Sequence, residues 1–124
     1  MFRCGRWRST LLTVADDDDV RRLALALPDT TEKPSWGTPG FRVHDKLFAR
    51  LHDQPGVLVL RRPSVEDAEE LAAADPVAFF RTPHYAGYPY VLARLAELEV
   101  DELAEVLREA WEVQAPARLR GQTR

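Results

Sequence analysis

The sequence predicts an α+β domain, with one antiparallel sheet and helices packed on one of its faces. Three observations carry that prediction. Short β-type segments bounded by Gly, Pro and Asp cluster between Thr31 and Arg61. The gaps between them are too short for a helical crossover, so neighbouring strands must run antiparallel. Stretches with a single apolar stripe lie before and after this cluster, and such helices need only one sheet face to cover them.

Asp16 to Leu27 reads as the first helix. Its four aspartates sit where the N-terminal dipole favours negative charge, and Val20, Leu23, Ala24 and Leu27 form one stripe. Pro28 ends it. A first strand is expected near Thr31 to Ser35. The stretch from Lys33 to Leu51 is the centre of the chain: a Trp36-Gly37 turn, Phe41-Arg42-Val43, a His44-Asp45 turn, and Lys46 to Leu51. A two-residue turn at His44-Asp45 would pair Arg42 with Leu47, which mixes the two faces and leaves the register open. Trp36 is expected to be a core anchor. His52 to Gly56 is a loop and Val57 to Arg61 a strong strand.

Ser64 and Asp67 have the spacing of a helix cap, and Val65, Ala68, Leu71 and Ala72 give that helix its inner face. Asp75-Pro76 restarts a short turn, with Asp75 as its cap and Pro76 at the first helical position. Phe79 and Phe80 go to the core, and Thr82 to Tyr88 is a loop that covers a sheet edge. Pro89 to Leu95 is the last strand. Asp101 to Ala115 is the last long helix, with Leu103, Val106, Leu107 and Ala110 as its stripe and Trp111 packing within it. Pro116 stops it, and the basic residues Arg118, Arg120 and Arg124 are expected to fray.

At 124 residues the chain is one domain, large enough to bury a core without staples. Residues 16–119 are assigned to it, residues 1–15 to an extension expected to be disordered, and residues 120–124 to a tail. Cys4 is the one cysteine, so no internal disulfide forms, and no Cys/His group has zinc spacing. The apolar runs are too short to span a membrane, and Leu11 to Ala15 is too short for a secretory signal. A cytoplasmic protein is expected. The chain has no Ile and no Asn, and 15 Arg against 2 Lys, which points to a GC-rich bacterial genome. In such a genome Val14 can be a GTG start.

Charge is segregated. Lys33 to Arg62 holds six bases and two acids, Ser64 to Asp75 five acids and no base, and Glu97 to Glu112 seven acids against Arg108. The sheet is therefore basic and the helices acidic. No phosphate-binding loop, dinucleotide fingerprint, nucleophile elbow or zinc helix occurs. His44, His52 and His84 are scattered through turns, and Cys4 has no identifiable base. No enzymatic activity and no cofactor or metal is expected.

Leu27-Pro28, Trp36-Gly37-Thr38-Pro39, Phe41-Arg42-Val43, Lys46 and Phe48-Ala49 together resemble the MmcQ/YjbR family. Asp75-Pro76, Phe79-Phe80, Tyr85 with Gly87, and Ala115-Pro116 extend the resemblance over roughly Val20 to Leu119. Thr38 departs from it, since many members carry His before the proline. The resemblance implies a compact two-layer α+β fold like that of secretion chaperones. It also implies DNA binding through a double-wing arrangement.

The residues expected to meet DNA are Arg42, Lys46, Arg50, Arg61 and Arg62, with Trp36 and Phe48 between them. Lys and Arg neutralise phosphates and release counterions, and such binding is weak and non-specific. The other expectation is a protein-interaction or chaperone-like module, with a homodimer as one form of it, using the uncovered sheet face. An exposed apolar patch there would favour it.

Overall fold

The computed structural model of the protein describes residues 14–120. The order of elements is α1 (Asp17–Leu25), β1 (Thr30–Ser35), β2 (Thr38–Val43), β3 (Lys46–Leu51), β4 (Val57–Arg61), α2 (Val65–Ala74), β5 (Phe79–Phe80), β6 (Tyr90–Arg94), α3 (Val100–Gln114) and α4 (Ala117–Arg120). The six strands form one sheet in the order β1-β2-β3-β4-β6-β5, antiparallel throughout. α3 lies over β3 and β4, α2 over β5 and β6, and α1 against β1 and α3. The expected class and layering are present.

Local chemistry explains the helix ends. The Asp16 carboxylate accepts from the Asp19 amide at 2.9 Å, and the Asp19 carboxylate accepts from the Asp16 amide at 3.1 Å, a reciprocal cap. Arg22 beside it holds the Asp19 carboxyl below the usual carboxylate range. The Ser64 hydroxyl caps α2 by accepting from the Asp67 amide at 3.0 Å. Asp75-Pro76 opens the expected short turn. The Asp75 carbonyl accepts from the Ala78 and Phe79 amides, at 3.2 and 2.9 Å, and the turn feeds β5.

A bulge settles the register. Arg42 does lie opposite Leu47, but Phe41 lies opposite Ala49, so Phe48 is an extra residue in β3. Phe48 and Ala49 can then both be buried on the helix side. α3 braces the irregular stretch, with Gln114 donating to the Leu47 carbonyl at 2.9 Å. The helix-side core joins Phe41, Phe48, Leu58, Leu60 and Val91 to Leu103, Leu107 and Trp111.

Two expectations at the chain ends change. Val14 bridges to Glu99, and the buried Ala15 donates its amide to the Leu98 carbonyl at 2.9 Å, so the folded part begins before Asp16. The expected disorder of residues 1–13 lies outside the described residues. Beyond Pro116, Arg118 and Arg120 belong to the short α4, which is held by the buried Leu119 rather than frayed. Arg124 lies outside the described residues.

Trp36 is the largest departure. It is 83% exposed at the tip of the β1–β2 hairpin rather than in the core. Its φ is 57° and that of Gly37 is 81°, so both turn residues are left-handed, as two-residue hairpins that match strand twist require. Asn or Gly fills the first of these positions without a clash, and an aromatic does not. Trp36→Asn should therefore stabilise the fold by about 1 kcal/mol in denaturant titration. A loss of stability would show that the Trp36 ring packs on the hairpin.

Candidate nucleic-acid interface

Strand alternation and the ladders together decide which side chains share the face that the helices leave open. Val57, Val59, Leu92 and Tyr85 form a small second core there, with Phe80 and Tyr90 packed against it. Pairing extends this face into a continuous row across all six strands: Lys33, Gly40, Arg50, Val59, Leu92 and Phe80. Thr31, Arg42 and Leu47 lie on one side of the row, with Arg61 opposite Tyr90. Arg94, opposite Val57, lies on the other.

The open face thus presents Lys33, Arg42, Arg50, Arg61 and Arg94. No described strand position on it carries a carboxylate. Glu32, the one acidic residue on a described strand, is opposite Phe41 on the helix side and pairs with Arg21 of α1 at 2.9 Å. The acids of α2 and α3 lie in the helix layer. Their field opposes that of the open face from across the sheet instead of overlying it.

The five expected contact residues separate into three situations. Arg42 and Arg61 are half-buried on the open face. Each guanidinium has only carbonyl or aromatic company. Arg42 donates to the Asp45 carbonyl at 3.4 Å, while Arg61 donates to the Arg62 carbonyl at 3.0 Å and stands 5.8 Å from the centre of the Tyr90 ring. Two strand spacings separate β2 from β4, about 10 Å. Lys46 is exposed but pairs with Val43, which puts it at the strand end on the helix side.

Arg50 and Arg62 are buried, and their expected contact with DNA does not fit this placement. Arg62 turns to the helix layer and bridges Asp67 of α2, at 2.6 Å, to Glu109 of α3, at 2.9 Å. Burial alone would lower its pKa; the two carboxylates outweigh that and hold it above the ordinary arginine value. Arg50 lies under the loop that follows β5. It donates to Thr38 Oγ1 at 2.9 Å, to the Leu51 carbonyl at 3.3 Å and to the Tyr85 hydroxyl at 3.1 Å. It shares its row with Gly40, where a Cβ would meet Ser35 Cβ at 2.8 Å.

The loop from Thr82 to Pro89 covers the sheet face, not just its edge. Tyr85 is its anchor, stacked edge-on with His84 at 4.9 Å and tilted against Tyr90 at 5.8 Å. Arg81 folds the loop by donating to the carbonyls of Tyr85, Tyr88 and Tyr90, at 3.3, 3.0 and 2.9 Å. Arg94 stands over the Phe80 ring at 4.2 Å and donates to the carbonyls of Pro76 and Val77, at 3.1 Å each.

Lys33 and Arg94 were not among the residues expected to meet DNA. Their signal was strand parity: Arg94 is four residues beyond Tyr90, so it shares that residue's face. His44 makes a 3.2 Å contact with Asp29 in the turns at the lower end of β1 and β2. Among the described residues no group of three or more His, Cys, Asp or Glu side chains could hold a metal ion. No described helix is long and apolar enough to cross a membrane.

Comparison with known proteins agrees with this architecture. The crystal structure of a Deinococcus radiodurans protein with a DUF419 domain superposes with a TM-score of 0.68 at 23% identity, covering 90% of this chain and 91% of that one. It shares the fold. Proteins of Mycobacterium bovis and Mycobacterium tuberculosis, both called uncharacterized, are 38% identical across 82% of this chain and 90% of their own length. The family model YjbR matches residues 25–113, and with the shared fold and these relatives it shows that the chain belongs to the YjbR family.

Proposed function

We propose that this protein binds nucleic acid through the open face of its sheet, with Arg42 and Arg61 as the central phosphate contacts and Lys33 and Arg94 flanking them. The observation that carries the reading is the charge pattern of that face: cations at every charged strand position and no strand carboxylate, with one turn acid, Asp45, reaching it through an ion pair with Lys33 at 3.7 Å. A polyanion answers such a surface. Binding is electrostatic and largely independent of sequence, with Kd on the order of 10⁻⁴–10⁻⁶ M at physiological salt. The apolar residues of the same face favour this over a hydrophobic protein interface, because Val57, Val59 and Leu92 are buried around Tyr85.

Salt titration tests it. Log affinity should fall with log salt at about −0.9 per phosphate neutralised, so three or four contacts give a slope near −3. Arg42→Ala and Arg61→Ala should each reduce the slope by about 1. Lys46→Ala, on the other side of the sheet, should leave it unchanged. Absence of binding at low salt, or a slope indifferent to the Arg42 and Arg61 substitutions, would overturn the proposal.

A further inference from the structure

We propose that Trp36 is a base-stacking residue, and that the ligand of the open face is therefore single-stranded nucleic acid rather than a closed duplex. This rests on the reading above and adds the ligand's form.

Two observations bear on Trp36. The first singles it out: its 83% exposure is the highest of any exposed large apolar residue described. The second is its left-handed backbone, with φ at 57°, a conformation it shares with Asp29, His44 and Asp45 but which it alone among them combines with a large apolar side chain. A tip whose only task was to close the hairpin would be served better by Asn or Gly. Burial does not account for the indole, and turn geometry opposes it. A contact made outside the domain accounts for both.

The surroundings point to a base. Trp36 lies between Ser35 and Gly37, with Thr38 opposite Ser35. The other exposed large apolar residues stand elsewhere. Val77 precedes β5 at the far edge of the sheet, roughly 20 Å away at four strand spacings, Leu25 is on α1 in the helix layer, and Val14 bridges to Glu99 just before α3. Tyr88 belongs to the loop before β6, at the opposite end of the strands. An indole far from the other exposed large apolar residues makes a poor protein hot spot, since such anchors work inside desolvated clusters. It makes a good platform for one flat base, whose phosphates then fall to the cations of the adjoining face. Lys33 of the same hairpin is the nearest of these in sequence. Stacking on a protruding ring needs an unpaired base, and single strands offer one without the cost of melting a duplex.

The test uses the full chain carrying Trp7→Phe, so that Trp36 and the buried Trp111 are its only indoles. It is titrated with an oligothymidylate of roughly 16 nucleotides and with a duplex of equal length. Binding of the single strand should quench the Trp36 emission, and the duplex should bind more weakly. Trp36→Ala should weaken single-strand binding about 5- to 150-fold with the salt slope unchanged, and Trp36→Phe should restore most of the affinity. Trp36→Asn should raise the Tm while losing affinity, a combination that damage to the fold would not produce. The stacking proposal fails if Trp36→Ala binds the single strand as the parent does while Arg42→Ala still lowers the slope; the phosphate surface then stands alone. If neither nucleic acid binds at low salt, both readings fall.

Discussion

Trp111→Ala should destabilise the domain by about 3–5 kcal/mol in chemical denaturation. Trp111 is fully buried on the inner face of α3, so its truncation leaves a large void between that helix, α1 and the sheet. It also does more than fill space. Its indole Nε1 donates to the carbonyl of Pro28 at 3.0 Å, at the corner where the chain leaves α1 and enters β1. That carbonyl follows the end of a helix stopped by proline, and it needs a partner when water is excluded. Trp111→Phe separates the two contributions. It keeps most of the volume and leaves the Pro28 carbonyl with only the longer 3.4 Å bond from the Thr30 hydroxyl, so it should cost about 1–3 kcal/mol. Equal losses in the two variants would mean that the hydrogen bond, not the packing, holds α3 to the corner. A loss below about 1 kcal/mol for Trp111→Ala would mean that the core closes over the gap.

Trp36 and Trp111 show how far the sequence could be read. Trp111 follows the stripe Leu103, Val106, Leu107 and Ala110, so helical periodicity placed it inside. Trp36 had no periodic context. Trp36-Gly37 was visible as a turn, but hydrophobicity alone then argued for burial, and nothing local says whether a turn points into the core or away from it. Turn type decided the matter: a two-residue hairpin loop projects its tip beyond the sheet.

The fold class was legible because strand spacing leaves antiparallel pairing as the only option. Faces were harder. A single extra residue, Phe48, reverses the parity of everything on one side of it, and a β-bulge leaves no composition signal. Without it, Arg42 and Arg50 could not be assigned to a common face. The basic character of the sheet was visible as a count, whereas the fate of each base was not. Arg50 and Arg62 differ from Arg61 through partners distant in sequence: Tyr85 is 35 residues from Arg50, and Glu109 is 47 residues from Arg62.

Arg62→Ala should cost about 2–3 kcal/mol of stability and leave nucleic-acid affinity per folded molecule unchanged. Arg62 is 8% exposed and is the one described cation that bridges α2 to α3, through Asp67 at 2.6 Å and Glu109 at 2.9 Å. Removing one member of a buried charge cluster strands the others, and a fully buried pair loses about 3–5 kcal/mol that way. The loss here should be smaller, because the Asp67 and Glu109 side chains keep 34% and 39% of their exposure and can rehydrate. Asp67 also lends its amide to the cap of α2 at Ser64, so the N-terminus of that helix should loosen first. Hydrogen exchange would show this as lost protection at the start of α2, ahead of the sheet. Arg62→Met, which keeps the packing stem without the charge, should recover little, since the two carboxylates remain unpaired. The double variant Arg62→Met with Glu109→Gln should recover part of the loss by removing one of them. If instead Arg62→Ala left stability intact and lowered the salt slope of binding by about 1, the guanidinium would belong to the nucleic-acid surface and not to the helix layer.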